Sequence, residues 1–186
     1  MCNEWAAERV WREYCEMMAR EEMAIISDEL PELPLGSIRP SDRAPVIRAA
    51  PGGSRLDLLA WGWPPPPRRG GLVINVRSET RKDPAEARGI GVFATFYEHR
   101  DDGGRKKSKF AFSPAINEPM ALALVIRDDR FALVTSEPGP DVAVVHHRTP
   151  VVLKASDWRR YLSDPVWPTD LMQPPLFGTL KCVQIR

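Results

Sequence analysis

Nineteen prolines are spread over 186 residues, against twelve glycines. Each proline fixes φ and removes a backbone donor, so helices and central strands must stop where prolines gather. Such a chain folds as many short elements joined by stiff turns. Its length suffices to bury a core without staples, and one domain over residues 1–186 is expected. The three cysteines, Cys2, Cys15 and Cys182, are far apart and odd in number. That argues against a disulfide framework and a structural zinc site, and it suits a reducing cytoplasm. No apolar run is long enough for a bilayer, so no membrane partner is expected.

Apolar residues Ala6, Val10, Tyr14 and Met17/Met18 recur at helical spacing after Asn3, predicting a long helix over about 4–24 that stops before Pro31 and Pro34. Strand signals follow over 44–50 and 56–61, parted by Pro51-Gly52-Gly53. Then Trp61-Gly62-Trp63 runs into four prolines and Arg68-Arg69. Further strands are predicted over 72–77, 91–98, 110–112, 120–126, 130–135, 142–145, 151–153 and 180–185. Short helices are predicted at 83–88 and from Ser156 through Tyr161. The fold class is α+β: one domain, mainly antiparallel β-sheet and barrel-like, with a long N-terminal helix and short peripheral helices.

Charge is uneven despite a formal net of +1. Residues 1–33 carry a net −6 and residues 67–109 a net +5. The basic middle suits a polyanion, although an ordinary solvated surface accounts for it as well. It surrounds the strand Leu72-Val73-Ile74-Asn75-Val76-Arg77. Period two puts Asn75 and Arg77 on one face, an amide beside a guanidinium, where a purely structural strand would carry apolar residues.

Three residues could carry chemistry. Cys2, once Met1 is removed, offers an α-amine and a thiol on one residue, and the pair can condense with an aldehyde to an imine and then a five-membered thiazolidine. The amine titrates near pH ~7.7–8.0, so part of it is neutral at physiological pH. The plain alternative is that the second residue is arbitrary. Glu98, ending Phe96-Tyr97-Glu98, is either an exposed strand-end acid or a carboxyl pointing into a pocket with a raised pKa. His146 is a proton carrier at neutral pH or a structural residue. His147 and His99 read as bystanders, and Trp63 is open between core packing and presenting a face to a base. Metal ligation is not expected from these spacings, nor is a cofactor.

Met1-Cys2, Trp61-Gly62, Asn75-x-Arg77-Ser78-Glu79-Thr80, Phe96-Tyr97-Glu98 and His146-x-Arg148-x-Pro150-Val151 together resemble the SOS response-associated peptidase (SRAP) family over nearly the whole chain. The resemblance implies a monomeric sensor of abasic sites in single-stranded DNA, acting in DNA damage repair. Its N-terminal cysteine would form a thiazolidine with the ring-opened sugar and shield the lesion. On that resemblance Cys2 is the nucleophile, Glu98 the acid/base, His146 a proton donor near the sugar oxygen, and Asn75 orients the reacting N-terminus. Arg77 and Arg148 would hold phosphates, and an unstacked base could sit on Trp63. Two other classes are a thiol peptidase using Cys2, His146 and Glu98, and a non-catalytic single-strand-binding module. Departures from the family pattern are Asn3 and Glu4 for a glycine and a basic residue, Thr95 for a glycine, Thr149 for a methionine, and the four-proline stretch. Glu4 would repel a nearby phosphate.

Overall fold

The computed structural model describes residues 2–9, 11–26, 32–67 and 70–186. Met1, the helix-stripe position Val10, the Pro31 stop and Arg68-Arg69 lie outside them.

The strands are β1 (Trp5–Ala7), β2 (Gly36–Ile38), β3 (Arg43–Ala50), β4 (Gly53–Trp61), β5 (Asn75–Arg77), β6 (Arg88–Val92), β7 (Thr95–Arg100), β8 (Ser108–Pro114), β9 (Met120–Arg127), β10 (Arg130–Ser136), β11 (Thr149–Pro150), β12 (Val152–Lys154) and β13 (Leu180–Gln184). The α-helices among the described residues are α1 (Trp11–Arg20), α2 (Pro140–Ala143) and α3 (Ala155–Ser163). One sheet runs β13-β8-β7-β1-β2; the larger runs β11-β10-β4-β3-β6-β9-β12, with β5 added on β10.

Strand β9 shows how the layers form. Met120, Leu122, Leu124 and Ile126 join the core between the two sheets, with Trp5, Trp61, Phe96 and Phe112. The alternate residues Ala121, Ala123 and Val125 join the core between the larger sheet and the helices, with Tyr14, Met18, Trp158 and Tyr161. A run buried on both faces is apolar at every position, and the small alanines make room for Trp158 and Tyr161. Each fully buried large side chain contributes about 1.5–3 kcal/mol. The fold is mostly β with few helices, as expected of the α+β class.

Several expectations change. The N-terminal helix is only ten residues long, because Trp5–Ala7 pairs with β2 and β7 instead. Hydrogen bonding to two neighbours outweighs the helical spacing that Ala6 shares with Tyr14. Residues 91–98 split into β6 and β7 on different sheets, and residues 140–143 form α2 rather than a strand. The sheet is not a closed barrel. Strands β10, β4, β3, β6 and β9 pair in a circuit, but β3 meets β6 at only Ile47↔Ile90 and β4 meets β10 at two residue pairs. The larger sheet is therefore strongly curled and thinly seamed. Among the described residues no helix is long and apolar enough to cross a membrane.

Candidate functional site

The site grows from the register of β1 on β7. Trp5 pairs with Phe96 and Ala6 with Thr95, antiparallel, and Tyr97 N donates to Glu4 O at 3.0 Å. Followed backwards, that register puts Asn3 opposite Glu98 and so brings the neighbouring Cys2 within reach of the Glu98 carboxyl. The backbone N–H of Cys2 donates to the Glu98 carboxyl, and Asn75 Nδ2 donates to Cys2 O at 2.9 Å. Cys2 is thus gripped at both its nitrogen and its carbonyl.

Asn75 is placed by the Trp61-Gly62 corner. Trp61 Nε1 donates to Ile74 O at 2.9 Å, and the ring lies parallel to Phe131 at 6.2 Å between centroids. Gly62 turns with φ +96°, and a Cβ there would lie 2.9 Å from Ile74 Cγ2. Strand β5 then runs parallel to β10, with Asn75 opposite Leu133 and Arg77 opposite Thr135. Asn75 and Arg77 share a face: Asn75 is half-buried and Arg77 exposed. Asn75 Oδ1 is buried and accepts no hydrogen bond among the described residues.

Glu98 is buried on the same face of β7 as Phe96. Burial pushes its carboxyl up to about 7, even though the N–H groups of Cys2 and His99 favour the ionised form. The Cys2 thiol is also fully buried; burial raises its pKa strongly and the Glu98 charge adds to this. Its Sγ donates to Glu4 O at 3.4 Å.

Next to this pair lies a cavity of about 610 Å³ lined by Asn3, Glu98, His99, Lys106, Lys107, His146 and Arg186. His146 Nδ1 lies 3.1 Å from both the N–H and the carbonyl of Arg148. Its ring stacks on His147 at 4.4 Å, and burial lowers its pKa. Cys2, Asn75, Glu98 and His146 thus fall in one region, with Arg77 beside Asn75.

Two sequence expectations are corrected. Arg148 is buried, and its guanidinium makes a bidentate pair with Glu79 (2.6 and 3.0 Å) while donating to Thr135 O at 2.7 Å. It is committed inside the protein and fixes the loop that carries His146, rather than facing a phosphate. Trp63 is buried, and the Arg127 guanidinium covers its ring at 4.4 Å, so no base can stack on it. The cations facing the cavity are instead Lys106, Lys107 and Arg186. The run Arg105-Lys106-Lys107 is a signal legible in the sequence; Arg186 carries none. His99, a bystander by sequence, lines the cavity. Among the described residues no group of three or more His, Cys, Asp or Glu could hold a metal ion.

The result is a curled two-sheet domain that holds its second residue beside a buried carboxyl. The chain matches the SOS response associated peptidase (SRAP) family over residues 1–185, and it belongs to that family. Among curated proteins none matches it. The fold is shared with a solved protein from Bordetella bronchiseptica at 19% identity and TM-score 0.76, covering 100% of both chains. A Bacteroides thetaiotaomicron protein aligns at 15% and 0.74, covering 100% of this chain and 92% of its own. A phage-related protein from Bordetella bronchiseptica aligns at 20% and 0.72, covering 100% and 94%.

Proposed function

We propose that this protein, once Met1 is removed, traps abasic sites in single-stranded DNA by forming a thiazolidine between Cys2 and the ring-opened sugar aldehyde. The observation that carries the reading is the grip on Cys2. The nitrogen that becomes the α-amine touches Glu98, and the carbonyl is held by Asn75.

The chemistry balances with one water lost. Glu98 passes a proton to the ring oxygen as the ring carbon–oxygen bond breaks, and the anomeric hydroxyl returns its proton to the carboxylate, leaving the aldehyde and a protonated Glu98. The neutral α-amine adds to the aldehyde carbon, forming a carbinolamine. Glu98 protonates the departing hydroxyl, which leaves as water, and an imine remains. The thiol then adds across the carbon–nitrogen double bond: sulfur bonds to carbon, its proton ends on nitrogen, and the five-membered ring closes. A carboxyl titrating near 7 suits both directions of proton transfer at neutral pH. His146 supplies a second proton carrier across the cavity, and Asn75 Oδ1 is an acceptor for the new amine. Lys106, Lys107 and Arg77 offer cations for phosphates on either side. The buried thiol in the Met1-bearing chain also fits a group unmasked only by processing.

Intact-mass spectrometry after mixing with abasic single-stranded DNA tests this. The expected species is the chain lacking Met1, plus DNA, minus one water, and absent in Cys2→Ala. An adduct that survives Cys2→Ala, or no adduct from processed protein, would overturn the proposal. Sustained turnover of a peptide substrate would favour the peptidase reading instead.

A further inference from the structure

A strand of three residues at a chain terminus frays unless something ties it down. Here β1 is paired on both edges, and the residues before it, which carry Cys2, have a further side-chain tie at Glu4. Glu4 Oε1 accepts from Ser37 Oγ at 2.8 Å and Oε2 from Lys109 Nζ at 2.8 Å; Arg39 approaches at 3.7 Å. The Glu4 and Lys109 side chains are only 12% and 16% exposed, which separates this pair from screened surface ion pairs of little worth. Burial would raise the Glu4 pKa, but the hydrogen bonds from Lys109 and Ser37 outweigh it and hold the carboxyl below the usual range.

The geometry spans the sheet. Ser37 is on β2 and Lys109 on β8, with β7 between β8 and β1. Lys109 crosses β7 over the Tyr97 ring, 4.2 Å from its centroid, to reach Glu4. The backbone carbonyl of Glu4 accepts from Tyr97 N and from Cys2 Sγ. The carboxylate therefore fixes the residue whose carbonyl holds the thiol. Its charge is answered by Lys109 and Arg39, so it does not stand as a bare anion toward a phosphate.

We propose that Glu4 is a positioning residue: clamped by Lys109 and Ser37, it sets the seat of the N-terminal aminothiol beside Glu98. The reactive role of that aminothiol rests on the function proposed above; the clamp itself does not. The variants are Glu4→Gln, Lys109→Met and the exchange Glu4→Lys with Lys109→Glu, each with its thermal midpoint measured to establish folding. With abasic single-stranded DNA, each single variant should slow adduct formation at saturating DNA about ten-fold. The half-saturating DNA concentration should stay within about two-fold, and the exchange should recover most of the rate. If the two single variants instead shift half-saturation in opposite directions with the saturated rate unmoved, the side chains act on phosphates and the clamp is overturned. A separate readout is Cys2 labelling by a small disulfide reagent in the Cys15→Ser, Cys182→Ser background. Both single variants should speed labelling about ten-fold and the exchange should restore protection; equal labelling in all variants would overturn the clamp. This holds even for a wild-type chain that forms no DNA adduct, a result that would sink the proposed function alone.

Discussion

Glu98 sits where strand alternation on β7 calls for a core residue, one period from Phe96. Burial of a carboxyl costs stability, and the sign is definite. Its folded pKa near 7 lies above the ordinary 4.5, so between those values the folded state holds a proton that the unfolded state has lost. The group is therefore most easily accommodated below pH 4.5, and stability falls as pH rises through 7. At pH 8 the cost is on the order of 3 kcal/mol. Glu98→Gln, made in the Met1-retaining chain, should raise the thermal midpoint at pH 8 and change it little at pH 4.5. In the processed protein the same substitution should slow adduct formation at least about 100-fold, read by gel-shifted adduct over time. Glu79 has the reverse sign. The hydrogen bonds from Arg148 hold it down to about 2, so its contribution is present above 4.5 and lost as pH falls toward 2. Glu79→Ala leaves the buried Arg148 guanidinium short of its partner, with an expected cost of about 1–3 kcal/mol in urea denaturation. It should also slow adduct formation by releasing the His146 loop.

Elements placed these residues more than local propensity did. The β1–β7 register puts Asn3 opposite Glu98 and Cys2 beside it, whereas the helix expected over 4–24 would have carried the N-terminus elsewhere. Helical periodicity in residues 6–18 is real within α1, but β1 gains backbone partners on both edges. At the Trp61-Gly62 corner, Gly62 meets two demands together: a positive φ and a Cβ position that already belongs to Ile74 and Leu72. Gly62→Ala should cost about 2 kcal/mol or more and loosen β5, detected as a lower denaturation midpoint together with slower adduct formation. Gly62→Ala losing stability with an unchanged rate would detach this corner from the site.

For the whole molecule, the sheets form the walls and the hairpin between β7 and β8 brings Lys106 and Lys107 to the cavity. Non-covalent binding to single-stranded DNA bearing a stable abasic analogue should weaken with salt. Replacing both lysines by methionine should make the log–log salt slope shallower by about 0.7 for each phosphate that is no longer neutralised. A slope unchanged in fluorescence anisotropy titrations would move the phosphate path away from that hairpin. The sequence by itself determined the short-element, mostly β character, since proline placement and period-two runs are local facts of the chain. It also supplied the family and the candidate site residues, because Cys2, Asn75, Glu98 and His146 are legible by kind and order. Only the tertiary structure decided which of them meet and which side chains are already engaged. Arg148 is held by Glu79, Trp63 is covered by Arg127, and Glu4 is answered by Lys109, 105 residues away. A side chain's availability depends on partners that chain order leaves far apart, and strand register and packing alone bring those partners within hydrogen-bond reach.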